Sequence, residues 1–253
     1  MAHSRVPPQS APRTAVVWQV LSAELARYPD QELAVVDVGG GTGGFAVPLA
    51  EAGHRVTVVD PSPDALAALA RRAAEAGVGD RIRGVQGDGD RLADLVAPDS
   101  ADLVLCHSLL EVVEDPAGVV QAIAAILRPE GAASVLVANQ VAAVLARAMS
   151  GQLTAAAGLL RDPSAPAGSG DTLQRRFDVA TVAGYLTAAG LTLETVHGVR
   201  VLTDLLPPPV AEGDPAAVLA LETELATRPP YRDIAAQLHL LARRPAGASA
   251  EER

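Results

Sequence analysis

The sequence contains no lysine, a single cysteine and few aromatic residues. All 20 of its basic residues are arginine, a composition typical of a GC-rich genome, and phenylalanine, tryptophan and tyrosine together make up 2% of the chain. With Cys106 as the one cysteine, an internal disulfide and a thiolate metal cluster are excluded, and no metal site is predicted. Hydrophobic residues make up 49% of the chain, so the predicted core consists mainly of alanine, valine and leucine.

An excess of positive charge is also lacking. The net charge is −10 and the isoelectric point is about 4.9. These values exclude sequence-independent binding of nucleic acid over a broad surface but are compatible with a local arginine patch. No apolar run reaches membrane-spanning length, and residues 1–12 lack the apolar centre of a signal peptide. We therefore expect a cytoplasmic protein without a membrane partner. A disordered leader at 1–13 and a disordered tail at 246–253 are expected to flank one domain at 14–245.

Strand-like and helix-like hydrophobic patterns alternate along the chain. Five aliphatic segments are each followed by a helical pattern, and two further strands surround a long excursion. The predicted strands are 34–38, 55–59, 82–86, 101–106, 132–138, 191–201 and 235–241. This alternation predicts an α/β fold with a doubly wound, seven-stranded, mostly parallel sheet and an antiparallel last strand. An insertion at 151–176 is expected either to cover the site or to be a tolerated surface loop.

The first strand leads into the glycine-rich segment Asp37-Val-Gly39-Gly-Gly41-Thr-Gly43. Glycines at this spacing let the chain turn tightly and let a ligand approach the backbone, while the N–H groups of the following helix face that ligand. An acidic residue followed by Gly39, Gly41 and Gly43 is one ligand-binding pattern. Gly39, Gly41 and Gly44 match a second one, the Gly-x-Gly-x-x-Gly pattern of dinucleotide sites. Both patterns remain open at this point.

Acidic residues follow the second and third predicted strands. Asp60 ends the second strand and precedes Pro61-Ser62, which begin a helix. An acidic residue roughly 20 positions after the glycine loop binds ribose hydroxyls in nucleotide-binding α/β folds, although it could instead cap the next helix. Asp88 and Gly89 follow the third strand in a turn that either contacts the ligand or is solvated, and Asp90 is the alternative acidic residue.

Two further polar residues stand where the fourth and fifth predicted strands end. These are His107, directly after Cys106, and Asn139. The carboxyl ends of strands beside the first strand form the switch point at which ligands of open α/β sheets bind. His107 is therefore a candidate for orienting substrate or cofactor or for acting as a base, with a structural histidine as the alternative. Cys106 is expected to be a small buried hydrophobe.

Taken together, these motifs resemble the class I S-adenosylmethionine (SAM)-dependent methyltransferases. The segments that carry the resemblance are 37–43, 50–56, 59–62, 105–112 and 127–131. The resemblance implies a Rossmann-like fold, SAM as cofactor, ribose binding by Asp60 and contact of Asp88 with the adenine. The residues it assigns to cofactor binding are Asp37, Gly39, Gly41, Gly43, Asp60, Pro61, Ser62, Asp88, Gly89 and His107.

A narrower resemblance covers the C-terminal part. Segments 18–19, 198–204, 221–223 and 230–231, together with Asn139, are similar to the tRNA 5-carboxymethoxyuridine methyltransferases. That family methylates the carboxylate of a modified wobble uridine, so the resemblance implies tRNA as the acceptor. It makes His107, Asn139 and Arg200 the candidate catalytic residues around the transferred methyl. Arg200 would hold a carboxylate oxygen, or else form a surface salt bridge.

Two departures from that family keep other acceptors open. Its members carry a longer, basic N-terminal segment and often a lysine run in the insertion, whereas here 1–12 is rich in proline and 162–170 replaces the lysine run. A small-molecule acceptor, such as a carboxylic acid, is therefore the alternative. An NAD-dependent oxidoreductase and a non-enzymatic SAM-binding module are alternatives from other classes. The sequence leaves the oligomeric state open.

Overall fold

The structure is a computed structural model, and it describes residues 13–165, 171–207 and 213–246. Its strands are β1 (Ala34–Val38), β2 (Arg55–Asp60), β3 (Ile82–Gln86), β4 (Ala101–His107), β5 (Leu127–Ala138), β6 (Thr192–Val199) and β7 (Gln237–Arg243). All seven belong to one sheet, in the order β3-β2-β1-β4-β5-β7-β6.

The helices of the described residues lie between these strands or before β1. They are α1 (Ala15–Leu25), α2 (Ala46–Glu51), α3 (Pro63–Glu75), α4 (Leu92–Leu95), α5 (Pro116–Ile126), α6 (Gln140–Met149), α7 (Leu153–Arg161), α8 (Val179–Ala188) and α9 (Pro215–Leu225). In the ranges that the structure describes, none of these helices is long and apolar enough to cross a membrane.

The sheet is parallel except at one strand. β1 to β5 pair in parallel, whereas β7 runs antiparallel to both β5 and β6. The chain moves outward from β1 through β2 to β3 and then returns to β4 on the other side of β1, so the switch point lies between β1 and β4. The predicted fold class is confirmed, including the antiparallel last strand.

The core has two layers because successive strand residues face opposite sides of the sheet. On one side, residues such as Val36 and Val104 pack with Ile123 of α5 and Leu186 of α8. On the other side, residues such as Leu105 pack with side chains of α1, α2 and α3. Both faces of β1 and β4 are covered, which is why these strands read as continuous apolar runs.

Several element boundaries differ from the predicted ones. β5 begins at Leu127, five residues before the predicted start, because the segment after α5 is already extended and pairs with β4. The predicted insertion contains a helix, α7, and its residues 166–170 lie outside the described ranges. Nearly all of the expected leader and tail also lies outside the described residues.

Candidate active site

The glycine loop after β1 needs glycine at three alternate positions. Gly39, Gly41 and Gly43 have φ values of 73°, 54° and 80°, in the left-handed region that favours glycine. A Cβ atom at Gly43 would also lie 2.3 Å from Leu69 Cδ1, whereas a Cβ atom at Gly44 would meet nothing within 4 Å. The third glycine of a dinucleotide pattern is required for close packing of helix on strand. In this loop the glycine without room for a side chain is Gly43 and not Gly44, so the structure favours the acidic-x-Gly-x-Gly-x-Gly pattern.

Asp60 is oriented by the glycine loop itself. Its carboxylate accepts one hydrogen bond from Gly41 N at 2.9 Å and one from Ser62 N at 2.9 Å, and the residue is 8% exposed. The cap of α3 is Ser62, whose hydroxyl accepts from Ala65 N. Asp60 is therefore not the residue whose side chain caps the next helix. Each of its oxygens keeps acceptor capacity for a further donor, such as a ribose hydroxyl.

Asp37 carries the buried carboxyl group of this loop. The residue is 3% exposed. Its backbone pairs with β2 and β4, but its side chain makes no hydrogen bond or ion pair within the described residues. A Cβ atom at Gly40 would lie 2.5 Å from Asp37 Oδ2, so this carboxyl group lies directly against the loop. Burial, and to a smaller extent the charge of Asp60, raises the pKa of Asp37 to about 7. An unpaired buried carboxyl group of this kind is stabilised by a cationic ligand.

The turn after β3 places two acidic residues in solvent and one glycine in the core. Asp88 and Asp90 are exposed, while Gly89 is buried. A Cβ atom at Gly89 would lie 3.3 Å from Leu109 Cδ2, so the backbone here packs against the segment that follows β4. Gly87 N donates to Asp60 O at 3.2 Å, which ties this turn to the carboxyl end of β2. Asp88 is thus available to a ligand on the predicted side of the sheet.

His107 ends β4 and lies in a polar network rather than in open solvent. Its Nε2 is 2.9 Å from Ser134 Oγ, and its Nδ1 is buried without a hydrogen-bond partner in the described protein. Its ring packs edge-on against Phe45 of the glycine loop, with 4.6 Å between ring centroids. Burial lowers the pKa of His107 to about 3. The imidazole is therefore neutral at physiological pH and too weakly basic to act as an efficient general base.

Asn139 has a structural role in this geometry. Its Oδ1 accepts from Val141 N at 3.0 Å, which caps α6, and its Nδ2 donates to Asp233 O and Ala235 O at 2.9 and 2.7 Å. The residue is 2% exposed. Because both amide hydrogens and the amide oxygen are bonded to backbone groups, the geometry does not support Asn139 as a group that contacts the methyl acceptor.

Arg200 follows β6 at the same edge of the sheet. It has φ of 60°, and its guanidinium forms an ion pair with Asp204 at 3.1 Å. Its Nε is buried without a partner in the described protein. Three strand spacings, roughly 14 Å, separate β6 from β4, so Arg200 lies beyond β5 and β7 rather than beside the switch point.

The loop that carries Arg200 is held by the buried carboxylate of Glu222, which lies in the motif at 221–223 but was given no role of its own from the sequence. Glu222 of α9 is 1% exposed, and its two oxygens accept from Val201 N, Leu202 N, Thr203 N and Thr203 Oγ1 at 2.6–2.9 Å. The two C-terminal motifs at 198–204 and 221–223 are therefore one structural unit. An acidic residue directly after the apolar run 215–221 was the available signal.

The second half of the insertion packs beside the carboxyl ends of the strands. Arg175 donates to Val113 O and Glu114 O in the loop after β4, and Phe177 forms a bridge with Asn139. Arg176 forms a buried ion pair with Asp171 at 2.6 Å. Two of the three arginines of the insertion are thus bonded within the protein.

Other functional candidates were missed because they lie within apolar strands. Ser134 of β5 and His239 of β7 are fully buried and join the network of His107. Gln237 of β7 donates to Ser108 Oγ at 3.1 Å and so reaches the carboxyl end of β4. A polar residue with apolar neighbours on both sides is the signal that could have found each of them.

A separate cavity of about 350 Å³ lies between α1, β6 and α9. Its walls include Val20, His197, Ala226 and Leu241, and none of its lining residues belongs to the glycine loop. The cavity is therefore distinct from the predicted cofactor-binding edge.

Comparisons with known proteins show which family the chain is similar to. The family model described as a methyltransferase domain matches residues 36–135. The chain is 34% identical over 239 residues to the tRNA 5-carboxymethoxyuridine methyltransferase of Escherichia coli (strain K12), covering 92% of this chain and 88% of that protein. It is 33% identical over 174 residues to a ubiquinone biosynthesis O-methyltransferase of Xylella fastidiosa (strain 9a5c), covering 69% and 67%.

The solved structures show the same fold. An S-adenosylmethionine-dependent methyltransferase from Mesorhizobium loti superposes with a TM-score of 0.64 at 23% identity, covering 92% of this chain and all of that one. A putative S-adenosylmethionine-dependent methyltransferase from Listeria monocytogenes gives 0.63 at 17% identity, covering 91% and 97%.

Proposed function

Because the chain belongs to the SAM-dependent methyltransferases, in the family of the tRNA 5-carboxymethoxyuridine methyltransferases, we propose that its acceptor is the carboxylate of 5-carboxymethoxyuridine in tRNA. The observation that carries this proposal is the extent of the similarity. It covers 92% of the chain and so extends far beyond the methyltransferase-domain match at 36–135.

SAM is the co-substrate, and the charges of the glycine loop fit it. SAM carries an ammonium and a sulfonium group, and Asp37 offers a buried carboxyl group that has no partner among the described residues. We propose that Asp37 and the loop glycines hold the methionine part, that Asp60 holds the ribose with Pro61-Ser62, and that Asp88 and Gly89 hold the adenine. When bound, SAM supplies a methyl group activated by its positively charged sulfur.

Transfer to a carboxylate needs little acid–base chemistry from the protein. A carboxylate is already ionised at neutral pH, so no base has to remove a proton from it. The protein then contributes mainly by aligning the acceptor oxygen with the methyl group, which reduces the entropic part of the barrier. The lowered pKa of His107, about 3, supports this proposal, since a neutral imidazole can orient the acceptor but is a poor base.

Arg200 is our candidate for binding the methyl acceptor at the end that is farther from SAM. Its partly exposed guanidinium is paired with one carboxylate, Asp204, and its Nε has no partner in the part of the chain that the structure describes. A guanidinium can bind a carboxylate or a phosphate through two N–H groups. The segment 171–177 packs beside the same edge and is proposed to cover the acceptor. We further propose that residues 14–245 form one methyltransferase domain, because one sheet joins the strands from Ala34 to Arg243.

A small-molecule acceptor is the second candidate. The net charge of −10 and the internal bonds of Arg175 and Arg176 favour it, since both reduce the attraction of the protein for a polyanion. The ubiquinone biosynthesis relative points to a small acceptor for that protein. The open space at Gly44 counts against the dinucleotide alternative.

Binding and transfer experiments separate these functions. SAM and S-adenosylhomocysteine are first titrated into the protein by calorimetry. Transfer of labelled methyl is then measured with tRNA that contains 5-carboxymethoxyuridine, with tRNA that lacks it, and with small carboxylic acids. Methylation of the first tRNA alone is the expected result. Methylation of small acids without tRNA would favour the second candidate, and absence of cofactor binding would contradict the site itself.

A matched pair of arginine variants tests the acceptor side. Arg200→Gln is expected to raise KM for the acceptor while leaving SAM affinity unchanged. Arg55→Gln is the control, because Arg55 is also ion-paired, with Glu32, but begins β2 at the opposite edge of the sheet. Equal effects of the two substitutions would remove the argument for Arg200.

A further inference from the structure

Two histidines share one serine hydroxyl beneath the carboxyl end of the sheet. Ser134 Oγ lies 2.9 Å from His107 Nε2 and 2.8 Å from His239 Nε2. His107 and His239 are both register partners of Leu136, so the two rings stand in one row across β4, β5 and β7. The Nδ1 atoms of both rings are buried without a hydrogen-bond partner in the described protein.

The hydrogens of this network can be counted. Each neutral imidazole carries one N–H and the hydroxyl carries one O–H, so three hydrogens must be placed. Ser134 Oγ has no other hydrogen-bond partner among the described residues and can donate to only one ring. Every neutral arrangement therefore leaves at least one hydrogen without an acceptor among the described residues. It lies on His239 Nδ1, on the Ser134 hydroxyl or on His107 Nδ1.

Position in the sheet distinguishes these three hydrogens. His239 and Ser134 have no exposed surface and lie within β7 and β5, and a buried donor without an acceptor is rare and costly in folded proteins. His107 Nδ1 is itself buried, but His107 is a partly exposed residue that ends β4, beside the switch point where the ligands of this fold bind. A hydrogen on His107 Nδ1 is therefore the one that stands nearest to a bound ligand.

We propose that Ser134 and His239 are positioning residues that hold His107 as the neutral Nδ1–H tautomer, with Nδ1–H directed to the methyl acceptor. His239 Nε2–H donates to Ser134 Oγ, and the Ser134 hydroxyl donates to His107 Nε2. This proposal rests on the proposed function for the presence of an acceptor at this edge. The hydrogen-bond order within the protein does not depend on it.

Both rings are neutral, as the proposal requires. Burial lowers the pKa of His107 to about 3 and, together with the neighbouring histidines, lowers the pKa of His239 well below its ordinary value. A histidine in this tautomer donates one hydrogen bond and cannot accept a proton at Nδ1. The site is therefore suited to an acceptor that is already anionic, such as a carboxylate, and unsuited to a hydroxyl that must be deprotonated.

The tautomers can be measured directly by NMR. Long-range ¹H–¹⁵N spectra of ¹⁵N-histidine-labelled protein show which ring nitrogen of each of the five histidines carries the hydrogen. The variants His107→Gln and His239→Gln serve to assign the signals. We expect a protonated Nδ1 on His107 and a protonated Nε2 on His239 in the wild-type protein at neutral pH.

Two further variants test the role of the serine. Ser134→Ala is expected to release His107 from the Nδ1–H form, because solvent-exposed neutral histidine favours Nε2–H. His197→Gln is the matched control, since the His197 ring lies 5.8 Å from that of His239 but makes no bond to Ser134. The control is expected to leave the His107 signals unchanged.

A hydrogen on Nε2 of His107 in the wild-type protein would overturn the proposal, even if Ser134→Ala does not fold. Retention of the Nδ1–H form in a folded Ser134→Ala protein would also overturn it. Failure of the proposed function has a different signature, namely no binding of SAM or S-adenosylhomocysteine by calorimetry while the wild-type tautomers are as expected.

Discussion

Replacing Asp37 with asparagine is expected to stabilise the cofactor-free protein at alkaline pH and to weaken SAM binding. The residue is 3% exposed, and its carboxyl group accepts no hydrogen bond within the described residues. Its pKa is raised from 3.8 to about 7, first by burial and then by the charge of Asp60. Above neutral pH the folded chain therefore carries a buried charge without a partner. Asparagine has nearly the same shape and no charge.

Proton linkage sets the sign and size of the effect. Because the pKa is higher in the folded state than in the unfolded state, the folded protein binds the proton more tightly, and stability falls as pH rises from about 4 to about 7. The whole shift corresponds to roughly 4 kcal/mol, of which about 3 kcal/mol is lost above about pH 5. The unpaired amide of the variant has its own cost, but that cost does not vary with pH.

The assay is urea unfolding of the cofactor-free protein between about pH 5 and about pH 8. The free energy of unfolding of Asp37→Asn relative to wild type is expected to grow by about 3 kcal/mol over this range. Asp64→Asn, which changes an exposed carboxylate in the first turn of α3, is the control and is expected to show no such trend. A difference for Asp37→Asn that stays constant with pH would refute the reasoning.

Calorimetry supplies the second readout of the same substitution. SAM binding to the wild-type protein near pH 7 is expected to release a proton from Asp37, because a cationic ligand lowers the pKa of a nearby carboxyl group. The release appears as a dependence of the measured heat on the ionisation enthalpy of the buffer. The Asp37→Asn variant is expected to bind SAM about 10- to 100-fold more weakly, without that proton release.

Three further substitutions test the site and its support. Asp60→Ala is expected to abolish measurable SAM binding, whereas Asp64→Ala is expected to keep it, and calorimetry of both variants measures the affinity. Wild-type affinity in the Asp60→Ala variant would contradict the assignment of Asp60 to the ribose. Gly43→Ala is expected to lower the free energy of unfolding by roughly 3 kcal/mol, through its positive φ and the contact with a core leucine, while Gly44→Ala is nearly neutral. Glu222→Gln is expected to lower the free energy of unfolding by about 3 kcal/mol and to raise KM for the acceptor with SAM affinity unchanged, because a neutral amide cannot accept all four hydrogen bonds. Unchanged stability would show that these bonds contribute little.

Much of the fold and the cofactor pocket was determined by local sequence. A β-branched run, a turn that needs positive φ at Gly39, Gly41 and Gly43, and an acidic residue at the end of β2 each express a constraint within a few neighbouring residues. Such constraints can be read along the chain because the backbone imposes them directly. The doubly wound sheet followed from their repetition, since parallel strands require crossover helices.

Only the tertiary structure decided what the side chains at the acceptor side contact. Asn139 appeared catalytic by position, yet its amide bonds backbone groups 94 and 96 residues away. Ser134 is hydrogen-bonded to His107 and His239, which are 27 and 105 residues away in the sequence. All three residues lie in strands whose sequences predict only a buried apolar strand. Pairing register between distant strands sets these partners, and register depends on the packing of the whole sheet. The local pattern of a strand predicts which side of the sheet each residue faces. It does not identify the residue from a distant segment that each side chain contacts there.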